Sequence, residues 1–217
     1  MSGDEGLEAT VSYYARLGRV YDRIARSAVV RPYRQRLVTA VDLEEGETVV
    51  DVGTGTGANL EYLRGAVGVT GAVVGVDVTP RLLAIAGRHR GSTHLVRGDA
   101  RTLPVSDVDA IVGSFVAGMV ADPDAMVEEW TEALAPGGRL ALLDAAPRRS
   151  RGGVVDELAR VGFRLGATPG TASRFGRPPE TVLAERVGRA HEAIHAVADA
   201  RTTEYLRGFV RITDGRI

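Results

Sequence analysis

The sequence predicts an α/β domain built on a mostly parallel sheet with right-handed crossovers, and three observations carry that prediction. Short apolar runs alternate with helical patterns from residue 48 to residue 144. A glycine cluster, Gly53-Thr54-Gly55-Thr56-Gly57, follows directly on the first apolar run. The 217 residues, 44% hydrophobic and 25% charged, suit one soluble domain with a sizeable core.

The elements follow in chain order. After a polar start at 1–8, the stretch holding Tyr13, Tyr14 and Tyr21 is amphipathic at helical spacing; Pro32 interrupts it, and a helix resumes over 33–41. Residues 48–52 are β-branched apart from Asp51, as in a strand buried on both faces. The three glycines then permit a tight turn with close backbone approach to a ligand, and a helix runs over 59–66. A second strand spans 72–78 with Asp77 near its carboxyl end, where a carboxylate can accept both hydroxyls of a ribose. A helix at 80–88 leads to a short strand at 94–97 and to Gly98-Asp99-Ala100-Arg101. A fourth strand passes through 110–112, a helix covers 124–134, and a fifth strand covers 139–144. Beyond Pro147 a helix is expected over 152–165, then a turn-rich stretch over 166–179, a long helix over 180–200, and two short strands within 202–217 that turn near Arg207-Gly208. No linker divides the chain. The expectation is one domain, with covering helices at 1–45, a nucleoside-binding core at 46–146, and a substrate-side segment with closing strands at 147–217.

Composition removes several classes of chemistry. All 27 basic residues are arginine, which leaves no lysine nucleophile, and the absence of cysteine excludes disulfides, thiolate metal sites and cysteine catalysis. A net charge of −1 gives no electrostatic footprint for nucleic acid. No apolar run approaches the length of a membrane span and the N-terminus lacks an apolar signal segment, so the expected location is the cytoplasm. The glycine spacing is Gly-x-Gly-x-Gly, not the dinucleotide Gly-x-Gly-x-x-Gly, and Asp51 precedes it by two residues. An acid so close to the loop suits a cationic ligand better than a diphosphate.

Asp51-Val52-Gly53-Thr54-Gly55-Thr56-Gly57 together with Asp77 resembles the glycine motif and ribose acid of the Rossmann-like S-adenosylmethionine (SAM)-dependent methyltransferases. The resemblance implies a three-layer sandwich whose mostly parallel seven-stranded sheet ends in an antiparallel C-terminal strand pair. It extends through Tyr21-Asp22-Arg-Ile-Ala and Leu134-Ala-Pro-Gly-Gly-Arg-Leu-Ala-Leu-Leu-Asp144, segments similar to those shared by quinone C-methyltransferases and phospholipid N-methyltransferase-like proteins. It implies that Asp51, Gly53, Thr54, Gly55 and Thr56 surround the methionine part of SAM, that Asp77 holds the ribose, and that Val78 lies against the adenine. Asp99 and Ala100 would meet the adenine amino group, and Ser114 and Phe115 would border the sulfonium and the acceptor. The implied partner is a small hydrophobic or amphipathic acceptor, lipid- or quinone-like, with transient membrane contact if it is a lipid. Quinone relatives carry polar residues after the fourth strand, whereas this loop reads Val116-Ala117-Gly118-Met119. A SAM-binding module without methyl transfer, or an NAD(P)-dependent oxidoreductase, stays open as an alternative.

Methyl transfer from a sulfonium needs a base only when the acceptor must lose a proton. The candidates are Tyr14 and Tyr21 in the covering helix and His191, which shares an apolar helical face with Val187, Ile194 and Ala198. His191-Glu192-Ala193-Ile194-His195 also matches the His-Glu-x-x-His pattern of zinc peptidases. A third ligand would have to be a carboxylate of the last residues, such as Asp199, Glu204 or Asp214, and the preceding pattern is wrong for a peptidase; no metal is expected.

Overall fold

The computed structural model describes residues 22–89, 91–146 and 179–217. Tyr13, Tyr14 and Tyr21, the helix expected over 152–165 and the stretch at 166–178 lie outside the described residues.

The β-branched runs form the strands the alternation predicts: β1 (Thr48–Val52), β2 (Ala72–Asp77), β3 (His94–Arg97), β4 (Val108–Ser114) and β5 (Leu134–Ala145), then β6 (Asp199–Tyr205) and β7 (Val210–Arg216). They make one seven-stranded sheet in the order β3-β2-β1-β4-β5-β7-β6. The first five strands are parallel, and β7 is antiparallel to both β5 and β6. The chain builds outward from β1 in one direction and then returns to β4 on its other side. That reversal opens a crevice beyond the carboxyl ends of β1 and β4, where open α/β sheets bind ligands.

Helices α1 (Arg31–Ala40) and α2 (Leu60–Val67) cover one face of the sheet. Their Leu37, Leu60, Leu63 and Val67 pack on Val49, Val112, Ala141 and Leu143. On the opposite face lie α4 (Pro123–Ala133) and α5 (Pro179–Val197), with Met126, Trp130, Val187 and Ile194 against Val50, Ile111, Leu140 and Leu142; α3 (Pro80–Ala86) follows β2. Because helices cover both faces, the strands read as nearly continuous apolar runs rather than as an alternation.

Three boundaries differ from the sequence reading. The long helix stops at Val197, because Asp199–Arg201 pair with β7 opposite Arg216–Asp214. β5 begins at Leu134, which pairs with Val108, and the irregular Pro136-Gly137-Gly138 is absorbed by a register shift and a Gly137 φ of +78°. β4 runs from Val108 to Ser114, well beyond its apolar centre at 110–112.

Trp130 fastens α4 to the sheet. It is completely buried, and its indole N–H donates to the Ala100 carbonyl at 3.0 Å. Trp130→Phe removes that bond and leaves a cavity, with an expected loss of about 1–2 kcal/mol in urea unfolding. An unchanged midpoint would show that the indole N–H is dispensable.

Candidate functional site

The glycine loop leaves the carboxyl end of the interior strand β1 between two acids. Gly53 takes φ +67°, and a Cβ there would lie 2.9 Å from Val116 Cγ2, so the loop after β4 presses directly on the glycine turn. Gly55 at φ +57° aims its N–H at Asp77 Oδ2, 2.9 Å away. Both conformations favour glycine, the first also for want of space.

Asp51 lies beneath this loop, not on its open side. It is fully buried, accepting from Thr54 Oγ1 at 2.6 Å and from Asn59 Nδ2 at 2.8 Å. Burial pushes its carboxyl above the ordinary range, opposed by the bonds from Thr54 and Asn59 and by the positive charge of Arg34. The acid therefore braces the loop.

Arg34 is the residue that sequence reasoning missed. It sits on the buried face of α1 with 4% exposure. One nitrogen, Nη1, donates to Asn59 Oδ1 at 2.7 Å and to Ser114 Oγ at 2.8 Å, while Nε donates to the Ala25 carbonyl at 3.1 Å. Asn59 Nδ2 also reaches Ser114 Oγ at 3.0 Å. These bonds join the N-terminal helix, the first strand's loop and the end of β4 into one network. Arg26 adds a second tie by donating to the Thr56 carbonyl at 2.9 Å. A signal was present: 34, 37 and 38 share one helical stripe, so an arginine occupies a core-facing position.

Asp77 closes the other side. Its Oδ1 accepts the Thr79 N–H at 2.7 Å and its Oδ2 the Gly55 N–H. The Thr79 hydroxyl adds a third bond to the carboxylate, which as an ionised group offers about four acceptor positions in all. Burial raises this carboxyl too, against the lowering effect of the Thr79 and Gly55 bonds. Well below the unfolded value of about 3.9 the carboxyl is protonated in both folded and unfolded chains. As pH rises the unfolded chain ionises first, so wild type loses stability relative to Asp77→Asn until the folded carboxyl ionises as well. Urea unfolding of both proteins from pH 4 upward checks this; a difference that grows in favour of wild type would reverse the assignment.

The remaining predicted residues surround this centre. Val78 follows Asp77 half-buried, and the Gly98 N–H donates to the Asp77 carbonyl at 3.2 Å, which ties the Asp99-Ala100 turn to β2. Asp99 is already engaged by Arg101, whose Nη2 lies 2.7 Å from Oδ2, and that bond holds its carboxyl below the usual range. An adenine amino group would compete with that guanidinium. Phe115 adopts φ +58°, a strained conformation for a large side chain, and the Arg34 guanidinium carbon lies 5.4 Å from its ring centre. Such strain concentrates at functional sites. Thr56 Oγ1 is buried without a hydrogen-bond partner among the described residues, and the loop position suits a polar ligand group.

His191 belongs to α5. It is buried at the end of β5 on the face covered by α4 and α5, its Nδ1 2.6 Å from Thr213 Oγ1 and its Nε2 3.6 Å from Asp144 Oδ2. His195 Nε2 meets Thr202 Oγ1 at 2.8 Å, so the two imidazoles of the His-Glu-x-x-His match each hold a threonine hydroxyl. No cluster of three potential metal ligands occurs among the described residues.

Residues 50–142 match the family model described as a methyltransferase domain. The chain is 32% identical over 197 residues to a demethylmenaquinone methyltransferase of Deinococcus radiodurans, covering 83% of this chain and 80% of that one. It is 30% identical to a nocamycin O-methyltransferase of Saccharothrix syringae, covering 76% of this chain and 66% of that protein. Other curated relatives are longer: the chain spans about half of two of them, 46% and 45% of their lengths. Among solved structures, a SAM-dependent methyltransferase from Aquifex aeolicus aligns with a TM-score of 0.62 at 21% identity, over 90% of this chain and 92% of that one, a likeness of fold.

Proposed function

Because the chain belongs to the SAM-dependent methyltransferase family, we propose that it binds SAM across the Gly53–Gly57 loop and methylates a small, hydrophobic or amphipathic acceptor, lipid- or quinone-like. The observation that carries this reading is the glycine loop held between two buried acids. Asp77 beside the loop presents carboxylate oxygens that suit the hydroxyls of a ribose, and the buried Asp51 holds Thr54 and Asn59 around the loop in place. The unpartnered Thr56 hydroxyl is supplied with a partner by the methionine part.

When bound, SAM supplies a methyl carbon already activated by its positive sulfur. What the chain contributes is alignment and exclusion of water. Arg34 and Asn59 fix Ser114 at the end of β4, and Phe115 is held by the bond from its N–H to the Leu143 carbonyl at 2.8 Å. Val116, Ala117, Val120 and the helix face of Leu183 and Val187 are buried beside this point and give the acceptor side an apolar lining. The relatives named a demethylmenaquinone methyltransferase and a nocamycin O-methyltransferase favour a small organic acceptor over a nucleic acid, as does the net charge of −1. No described helix is long and apolar enough to cross a membrane.

Calorimetric titration with S-adenosylhomocysteine beside NAD tests the cofactor, and homocysteine-compound release from SAM with a quinol, a phenol and an aminolipid headgroup tests the acceptor class. Micromolar binding of the nucleoside thioether alone is the expected result. Binding of NAD in its place would overturn the reading.

A further inference from the structure

Two buried atoms at the carboxyl end of β5 face one another without hydrogen-bond partners among the described residues: Asp144 Oδ2 and His191 Nε2, 3.6 Å apart. That separation is too long for a hydrogen bond. Both residues are almost fully buried, at 2% and 4% exposure. A core that merely needed volume would place leucines here, since unpaired buried polar atoms are costly and rare.

The other side of His191 is fully connected. Its Nδ1 is 2.6 Å from Thr213 Oγ1, Thr213 Oγ1 is 2.6 Å from Thr202 Oγ1, and Thr202 Oγ1 is 2.8 Å from Nε2 of the exposed His195. Every junction joins a group that can donate to a group that can accept. With His191 carrying its proton on Nδ1, the chain runs in one sense: Nδ1–H to Thr213, the Thr213 hydroxyl to Thr202, the Thr202 hydroxyl to His195. In that tautomer Nε2 and the Asp144 carboxylate both present lone pairs to the gap, and a single proton placed between them satisfies both.

The gap is at the right end of the sheet. Asp144 is one residue past Leu143, the partner of Ser114, at the carboxyl end of β5, and its side chain turns to His191 of α5 on the face opposite Arg34. Across the strands, Asp144 lies opposite Arg211, which in turn lies opposite Glu204; His191 is the titratable group from α5. Burial raises the Asp144 carboxyl, opposed first by His191 and then by the charge of Arg211.

We propose that Asp144 and His191 take the proton a methyl acceptor loses, and that Thr213, Thr202 and His195 relay it to the surface. The role rests on the methyltransferase reading above. In the step, the acceptor X–H bond breaks and its proton passes into the Asp144–His191 gap. The freed electron pair forms the X–CH₃ bond, the C–S bond breaks, and its electrons stay on sulfur to leave a neutral thioether. The imidazolium then releases its Nδ1 proton along the threonines, and His195 passes one to water. An acceptor carrying an acidic O–H or N–H is implied, as opposed to an amine that is already free base.

The relay is tested without knowledge of the acceptor. The chain has four histidines, so their ring ¹⁵N signals are assignable by substitution. Water exchange of the His191 ring proton is expected to slow at least about tenfold in Thr213→Val and in His195→Gln. Unchanged exchange in both variants would overturn the relay. With menadiol as the quinol probe, His191→Gln is expected to lower kcat about a hundredfold and to flatten its pH profile, with KM for SAM unchanged. Wild-type kcat and pH profile in that variant would overturn the proton-accepting role. S-adenosylhomocysteine titration of the same proteins separates the two levels: a wild type that binds none of it sinks the methyltransferase reading, while the exchange result still decides the relay.

Discussion

Replacing Arg34 with leucine is expected to cost about 3 kcal/mol of folding stability, the scale for removing one side of a buried charged network. The side chain volume is largely kept, so the loss is electrostatic and hydrogen-bonding in origin. Asn59 Oδ1, Ser114 Oγ and the Ala25 carbonyl lose their guanidinium donor, and Asp51 loses the one positive charge that lowers its carboxyl. Lysine is expected to recover only part of the loss. A compact ammonium cannot reproduce the planar fork that reaches three oxygens on three different segments. Equilibrium urea unfolding reads the effect, and a decrease of only a few tenths of a kcal/mol would show that the network is dispensable. Asn59→Ala should cost less on the Arg34→Leu background than in wild type, because both substitutions break the same connection. The expected functional counterpart is weaker binding of S-adenosylhomocysteine, since Arg34, together with Arg26, ties the N-terminal segment to the glycine loop and the residue that follows it.

That network also shows which parts of the site were legible in the chain. The glycine loop and Asp77 are local features: a tight turn needs its glycines within a few residues, and a strand end is marked by where its apolar run stops. Arg34 and Ser114 are 80 residues apart, and their meeting depends on β4 lying beside β1, which no local pattern encodes. The same reasoning explains Asp144. In sequence it is the last residue of an apolar run, and only the β5–β7 pairing and the packing of α5 bring it to His191. Asp51, expected among the residues that meet the ligand, is buried where it accepts from Thr54 and Asn59, partners that the spacing of the motif does not reveal. The helix that should have reached residue 200 stops at Val197 because Ala198 is already followed by ladder pairing with β7, a tertiary contact that outweighs good helix formers.

Asp77→Ala is expected to weaken S-adenosylhomocysteine binding by roughly tenfold or more, the consequence of losing a charge-assisted pair to the ribose hydroxyls. Two outcomes have to be separated, because Asp77 also holds the Gly55 and Thr79 N–H groups in place. If the carboxylate acts on the ligand, the variant stays folded and loses affinity, because removing a buried acid whose ionisation is already resisted by burial relieves the fold of a cost. If it acts only as a brace, affinity and stability fall together as the turn loosens. Asp77→Asn refines the distinction. Its amide keeps the volume and one acceptor oxygen but turns a donor toward one of the two backbone N–H groups, so it should disturb the turn more than the size of the change suggests. Calorimetry and thermal melting on the two variants therefore separate the roles by stability, since affinity falls under both. Undiminished affinity in both would remove Asp77 from the ligand and leave the loop without its ribose acid.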